Sequence, residues 1–267
     1  MLQCCSASWS SLLALLSLVL LTSYKKDSAP VAGAPTGNVV FTVTNLVGTQ
    51  PLTLNSGVYP TTSGESLQVS TFEYYLSNIK LSKADGTVYA APNTYFLVDQ
   101  AKPQSLRFTV PSVPAGDYTG VSFLVGVDAQ KTGLTDPLEF TGKFDALNPA
   151  NNMYWTWNSG HIFLKLEGMV TPTSGAAKPL TCHVGGYAAP YNALVKAAPA
   201  FGNHKLTVRA GHSPELHLQA NLLRMFDGVT HVPLSTFPGT HMPSPASVAV
   251  AQNYAAGMFS VQQVVAN

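Results

Sequence analysis

Short apolar runs that alternate with polar residues, each closed within about a dozen residues by Gly, Pro or Asp-Gly, set the tightest limit on what this chain can fold into. From Asn38 to Val47 the residues Val39, Phe41 and Val43 alternate with Val40, Thr42 and Thr44, as in a half-buried strand. The runs Phe72 to Lys83 and Thr87 to Asp99 flank Ala84-Asp85-Gly86, and Asp-Gly accepts the positive φ that a tight hairpin needs. Leu106 to Val110 and Tyr118 to Val127 flank a second turn at Val113-Pro114-Ala115-Gly116. After a polar stretch from Ala129 to Asn152 come Met153 to Met169, Leu180 to Tyr187, Lys205 to Ala210 and Glu215 to Phe226. About nine strands at hairpin spacing predict an all-β, antiparallel sandwich or barrel-like domain. One short C-terminal helix is expected over Ala246 to Phe259, opened by Ser244 as N-cap and Pro245 in the first turn.

Several functions are excluded by charge. With 14 Lys+Arg against 13 Asp+Glu and only 10% charged residues, the chain has no concentrated basic surface for nucleic acid. Residues 1–24 read as a signal peptide: no charged residue, and a Leu-rich run from Leu12 to Leu21 that is too short to span a bilayer. Its end, Leu21-Thr22-Ser23-Tyr24, has the form of a lipoprotein signal with Tyr24 in place of the acylated cysteine, which makes membrane attachment doubtful. Residues 25–37 read as a flexible linker and 38–267 as a single exported domain, periplasmic or on the outer envelope. Cys4 and Cys5 leave with the signal, so Cys182 has no partner for a disulfide. There is no Gly-x-Ser-x-Gly elbow and no phosphate-binding loop, so the chain is not expected to be an enzyme.

The soft ligands are unevenly placed. Between Lys25 and Ala150 there is no His, Met, Cys or Trp, whereas all seven His lie after Asn151. Imidazole and thioether together are what copper selects, but no closely spaced zinc-type motif occurs, so a metal site would have to be assembled from distant strands. In Met153 to Gly168 an uninterrupted strand would put Trp155, Trp157, Ser159 and His161 on one face. A bulge at Asn158-Ser159-Gly160 would break that register and leave an aromatic core strand. At Thr181-Cys182-His183-Val184-Gly185-Gly186, paired glycines allow close backbone approach beside a histidine.

Taken in order, these segments resemble the MbnP-like family of methanobactin-associated, copper-binding envelope proteins. The resemblance is carried by Phe41 to Leu54, Tyr74 to Leu81, Tyr95 to Asp99, Val113 to Tyr118, Gly126 to Asp128, Asn148 to Gly160, Lys165 to Gly168 and His183 to Gly186. It implies a β-rich exported protein that binds copper and is itself the substrate of a partner dihaem enzyme of the MauG-like peroxidase group, which oxidises a tryptophan to kynurenine. The residues carried over by motif are Trp155 and Trp157 as the modified or metal-proximal aromatics, with Met153 and His183 as metal ligands. Two departures bear on this. His161 stands where the family commonly has Tyr, either an added ligand or neutral variation, and the family's Asp-His-x-His ending is replaced by Gln262-Gln263-Val264-Val265. The alternative is a non-catalytic β-sandwich envelope module with a structural or glycan-binding role, in which Trp155 and Trp157 pack or stack on a ligand.

Overall fold

The computed structural model describes residues 33, 35–133, 142–157, 160–237 and 239–267, the side chains of 142–144 excepted. The expected signal peptide, Tyr24, most of the linker and Ser159 lie outside the described residues. In chain order the strands are β1 (Thr36–Val47), β2 (Gln50–Pro51), β3 (Tyr59–Pro60), β4 (Ser66–Ser82), β5 (Val88–Ala90), β6 (Tyr95–Asp99), β7 (Arg107–Pro114), β8 (Gly116–Tyr118) and β9 (Gly120–Val125). The short helix α1 (Ala129–Thr132) follows, then β10 (Tyr154–Trp155), β11 (Gly160–Thr171), β12 (Lys178–Gly185), β13 (Val195–Ala197), β14 (Leu206–Val208) and β15 (Glu215–Asn221). The helix α2 (Pro245–Gly257) and the strand β16 (Phe259–Val265) close the chain.

The strands form a mostly antiparallel sandwich. One sheet is built on the long β4, which pairs with β3, β5, β6, β9 and β11, while β11 also carries β10 and β12. The other runs β16-β15-β1-β2, with β7 on β1. Aromatic side chains fill the space between them. Tyr74 from β4 and Phe123 from β9 both meet Phe259 of β16 edge-on, at 5.8 and 5.1 Å between ring centroids, and the Tyr74 hydroxyl donates to Asn45 Oδ1 of β1 at 2.8 Å. Such edge-to-face pairs put the positive ring edge on the negative face of the next ring.

Most of this follows from local sequence. The Asp85-Gly86 turn joins β4 to β5 with Gly86 at φ 84. The Ser244 hydroxyl caps α2 by accepting the Ser247 amide at 3.1 Å, with Pro245 in the first turn. Other features depart from the expectation. Thr87 to Asp99 is two strands, broken at Ala91 to Thr94 where Asn93 sits at φ 52. The β1–β15 pair is parallel, because β15 reaches β1 from the far end of the chain rather than through a hairpin. After α2 the chain returns as β16, which covers what would otherwise be the open edge of β15.

The polar stretch after β9 is a cover for the outer face of the β4 sheet. It holds α1 and two 3₁₀ helices, Gly142–Leu147 and Pro149–Asn151. The Ala146 carbonyl accepts the Tyr75 hydroxyl at 2.9 Å, the Leu147 carbonyl takes His161 Nε2 at 3.0 Å, and the Asn152 carbonyl takes Lys165 Nζ at 2.7 Å. Every one of these is a backbone carbonyl left over at a 3₁₀ terminus, satisfied by a side chain from the sheet beneath it.

Candidate functional site

The segment expected as one strand from Met153 to Met169 folds back on itself. Tyr154 pairs with His161 and Trp155 with Gly160, so β10 and β11 are the arms of a tight hairpin. Trp155 and His161 therefore do not share a face as an uninterrupted strand would require. Tyr154 faces His161, at 5.0 Å between rings, and Trp155 lies against Gly185 of β12 instead. A Cβ on Gly185 would sit 2.6 Å from the Trp155 indole, so only glycine leaves room for the ring there.

The two indoles are neighbours in different environments. Trp155 is 5% exposed and Trp157 59%, with ring centroids 5.8 Å apart. Trp157 is therefore open to an oxidant at the surface, whereas little of Trp155 is.

His161 is sealed under the cover and 1% exposed. The Leu147 carbonyl can only accept, so Nε2 carries the proton. Nδ1 then accepts from the Thr132 hydroxyl at 3.2 Å, and that hydroxyl oxygen in turn accepts the His161 amide at 2.8 Å. Both ring nitrogens are thus used, and burial holds the imidazole neutral, with its pKa lowered to about 4 despite the Leu147 hydrogen bond. Met153 is fully buried, and its carbonyl accepts the Ile162 amide at 2.9 Å.

His183 is placed differently. It lies opposite Lys165 in the β11–β12 register, four residues along β11 from His161, roughly 13 Å of strand. The two imidazoles are also committed to different partners, His161 to Leu147 and Thr132 and His183 to Glu167. Its Nε2 is 2.7 Å from Glu167 Oε1. Burial depresses the imidazole's pKa, with Lys165 and His241 adding to the effect and Glu167 opposing it. Burial acts to raise the Glu167 carboxyl, but hydrogen bonds from His183 and Thr71 outweigh it and hold the group below its usual range.

The chain around 240, beside His183, carries no signal in the sequence. The segment around Thr240 runs beside β12, the His183 amide donating to the Thr240 carbonyl at 2.7 Å and the Thr240 amide to the Thr181 carbonyl at 2.9 Å. This strap brings His241 close enough for its charge to act on the His183 imidazole, and the half-exposed Met242 follows it along the chain. Glu167, from the Lys-x-Glu-Gly stretch, supplies the carboxylate. Among the described residues no three His, Cys, Asp or Glu side chains converge on one point. The donors expected from the sequence, His161, His183 and Met153, do not make one closed metal centre. His183 with Glu167 beside the His241–Met242 strap is the open arrangement that remains.

Beside Trp155 a cleft of about 230 Å³ opens between Gly160, Gly186, Tyr187, Pro190, Tyr191 and Pro243. Gly186 needs its positive φ of 107 and its lack of a Cβ, because a methyl there would meet Tyr191 O at 2.6 Å and Pro243 at 2.9 Å.

A search of solved structures gives MbnP from Methylosinus trichosporium, at 15% identity and a TM-score of 0.45, covering 86% of this chain and 99% of that one. Curated protein sequences give no match. The MbnP family model matches residues 36–242, from the first residue of β1 to the strap beside His183, and the chain belongs to the MbnP family.

Proposed function

We propose that this chain is an exported copper-handling protein that serves as the macromolecular substrate of a dihaem, MauG-like peroxidase partner, which oxidises Trp157 to kynurenine. The observation that carries the proposal is the Trp155–Trp157 pair: one indole open to a partner surface, the other buried 5.8 Å behind it. Two equivalents of peroxide supply two oxygen atoms across the indole C2–C3 bond and leave as water. Hydrolysis then releases C2 as formate, for a net gain of about 4 Da.

Copper is the cargo in this reading. His183 is its first protein ligand, since His161 has both nitrogens bound and Met153 is buried. Family membership and the soft donors near His183 support this. A second reading, an envelope module with a structural or glycan-binding role, is favoured by the cleft beside Trp155, which Tyr187 and Tyr191 also line. Intact mass of protein recovered from its native envelope separates the two. A gain of about 4 Da over the sequence mass supports oxidation, and an unmodified mass supports the rival.

A further inference from the structure

At the other end of β11 from Trp155, where Thr171 pairs with Ser66, the tip of the β3–β4 hairpin meets the loop that follows β15. Ser63 Oγ lies 3.1 Å from His231 Nε2, and His231 Nδ1 lies 3.3 Å from Asp227 Oδ1. The ionised carboxylate can only accept, so it holds the proton on Nδ1 and leaves the Nε2 lone pair facing the serine hydroxyl. This is the order of contacts by which an imidazole acts as general base toward a serine nucleophile. Sequence separation hides it: Ser63 sits in a Thr-Thr-Ser-Gly hairpin rather than on a strand-to-helix elbow.

Both sides of the contact are fastened from below. The Glu65 carboxylate, 3% exposed, accepts the amides of Leu234 and Ser235 and the Thr61 hydroxyl, which ties the hairpin to the 234–235 turn. Asn253 of α2, fully buried, accepts the Thr230 amide at 2.8 Å and donates to the carbonyls of Thr230 and Met225 at 2.7 and 3.0 Å. Asp227 and His231 are themselves joined as a backbone bridge. The three side chains are therefore held on anchored backbone, and such preorganisation is what a catalytic contact requires. Among the described residues the Ser63 amide donates to no other group and is free to bind a developing oxyanion. The adjoining cleft, walled by Leu223, Phe226 and Val232, has a volume of about 10 Å³, no more than one water molecule needs, so no acyl chain is enclosed and the site takes only a small ester from the open surface.

We propose that Ser63, His231 and Asp227 form a surface acyl-transfer site that hydrolyses small acyl esters. Ser63 Oγ bonds to the ester carbonyl carbon as its proton passes to His231 Nε2. The ester C–O bond breaks, and that proton goes to the leaving alkoxide. Water then attacks the acyl-serine, gives its proton to His231, and the C–Oγ bond breaks with return of the proton to Ser63. Ester and water enter; carboxylic acid and alcohol leave. Asp227 is a positioning residue, acting through the imidazole.

The full chain is treated with a fluorophosphonate probe and mapped by peptide mass spectrometry, alongside hydrolysis of 4-nitrophenyl acetate. The expected result is an adduct on Ser63, with Ser63→Ala losing the adduct and slowing hydrolysis at least about 100-fold. Asp227→Asn lowers kcat with KM unchanged and slows labelling. The proposal is overturned if Ser63 takes no adduct, or if Ser63→Ala hydrolyses the ester as fast as the parent, which would assign the rate to an imidazole alone.

Discussion

Acidification should destabilise this protein through His161, and the size of the effect follows from its surroundings. The unfolded imidazole titrates near 6.5, whereas the folded one, desolvated under the 142–153 cover, titrates at about 4. Because the folded value is depressed, the unfolded chain binds the extra proton between these limits, and stability rises with pH across that window. Above pH 6.5 the contribution is complete, and as pH falls toward 4 it is lost. At pH 5 the linkage relation gives a loss of about 2 kcal/mol relative to neutral pH. The ring is 1% exposed, so solvent screening takes little from this figure. Urea unfolding of the parent and of His161→Gln at a series of pH values isolates the effect, since titrations shared by the two cancel in the difference. The parent's advantage should grow by about 2 kcal/mol between pH 5 and pH 7.5. A flat difference would refute the reasoning and mean that His161 is open to solvent and free to bind a metal.

Trp155→Ala should cost about 3–5 kcal/mol in urea unfolding, because the indole fills a core position, whereas Trp157→Ala should stay within about 0.5 kcal/mol. Gly185→Ala places a methyl 2.6 Å from the Trp155 ring, so it should destabilise by about 1–3 kcal/mol and shift tryptophan emission to the red as the indole is pushed out. In calorimetric titration with Cu(I), His183→Ala should lower uptake while His161→Gln leaves it unchanged; equal loss in both variants would return His161 to the ligand set.

The parts of the fold set by local chemistry are readable in the sequence. Val39, Phe41 and Val43 do face the core, Asp85-Gly86 does turn a hairpin, and Ser244-Pro245 does start α2. What the sequence hides is long-range pairing. Nothing in Glu215 to Asn221 says that it will lie parallel to β1, and nothing in Phe259 to Val265 says that it will edge β15. At the candidate site, the alternation rule fails at Trp155 because the chain reverses before Gly160, and period-two reasoning holds only while a strand continues. His183 was visible through its glycines. Its neighbours His241 and Met242 were not, because a Pro- and Gly-rich strap carries no periodicity to place it beside β12.

The central claim, that Trp157 is presented for oxidation while Trp155 is shielded, is tested most directly by peptide mapping of the mature protein taken from its native envelope. A gain of about 4 Da is expected on the fragment ion that contains Trp157, with Trp155 unmodified. Oxidation confined to Trp155, or neither tryptophan modified in cells that express the dihaem partner, would contradict it.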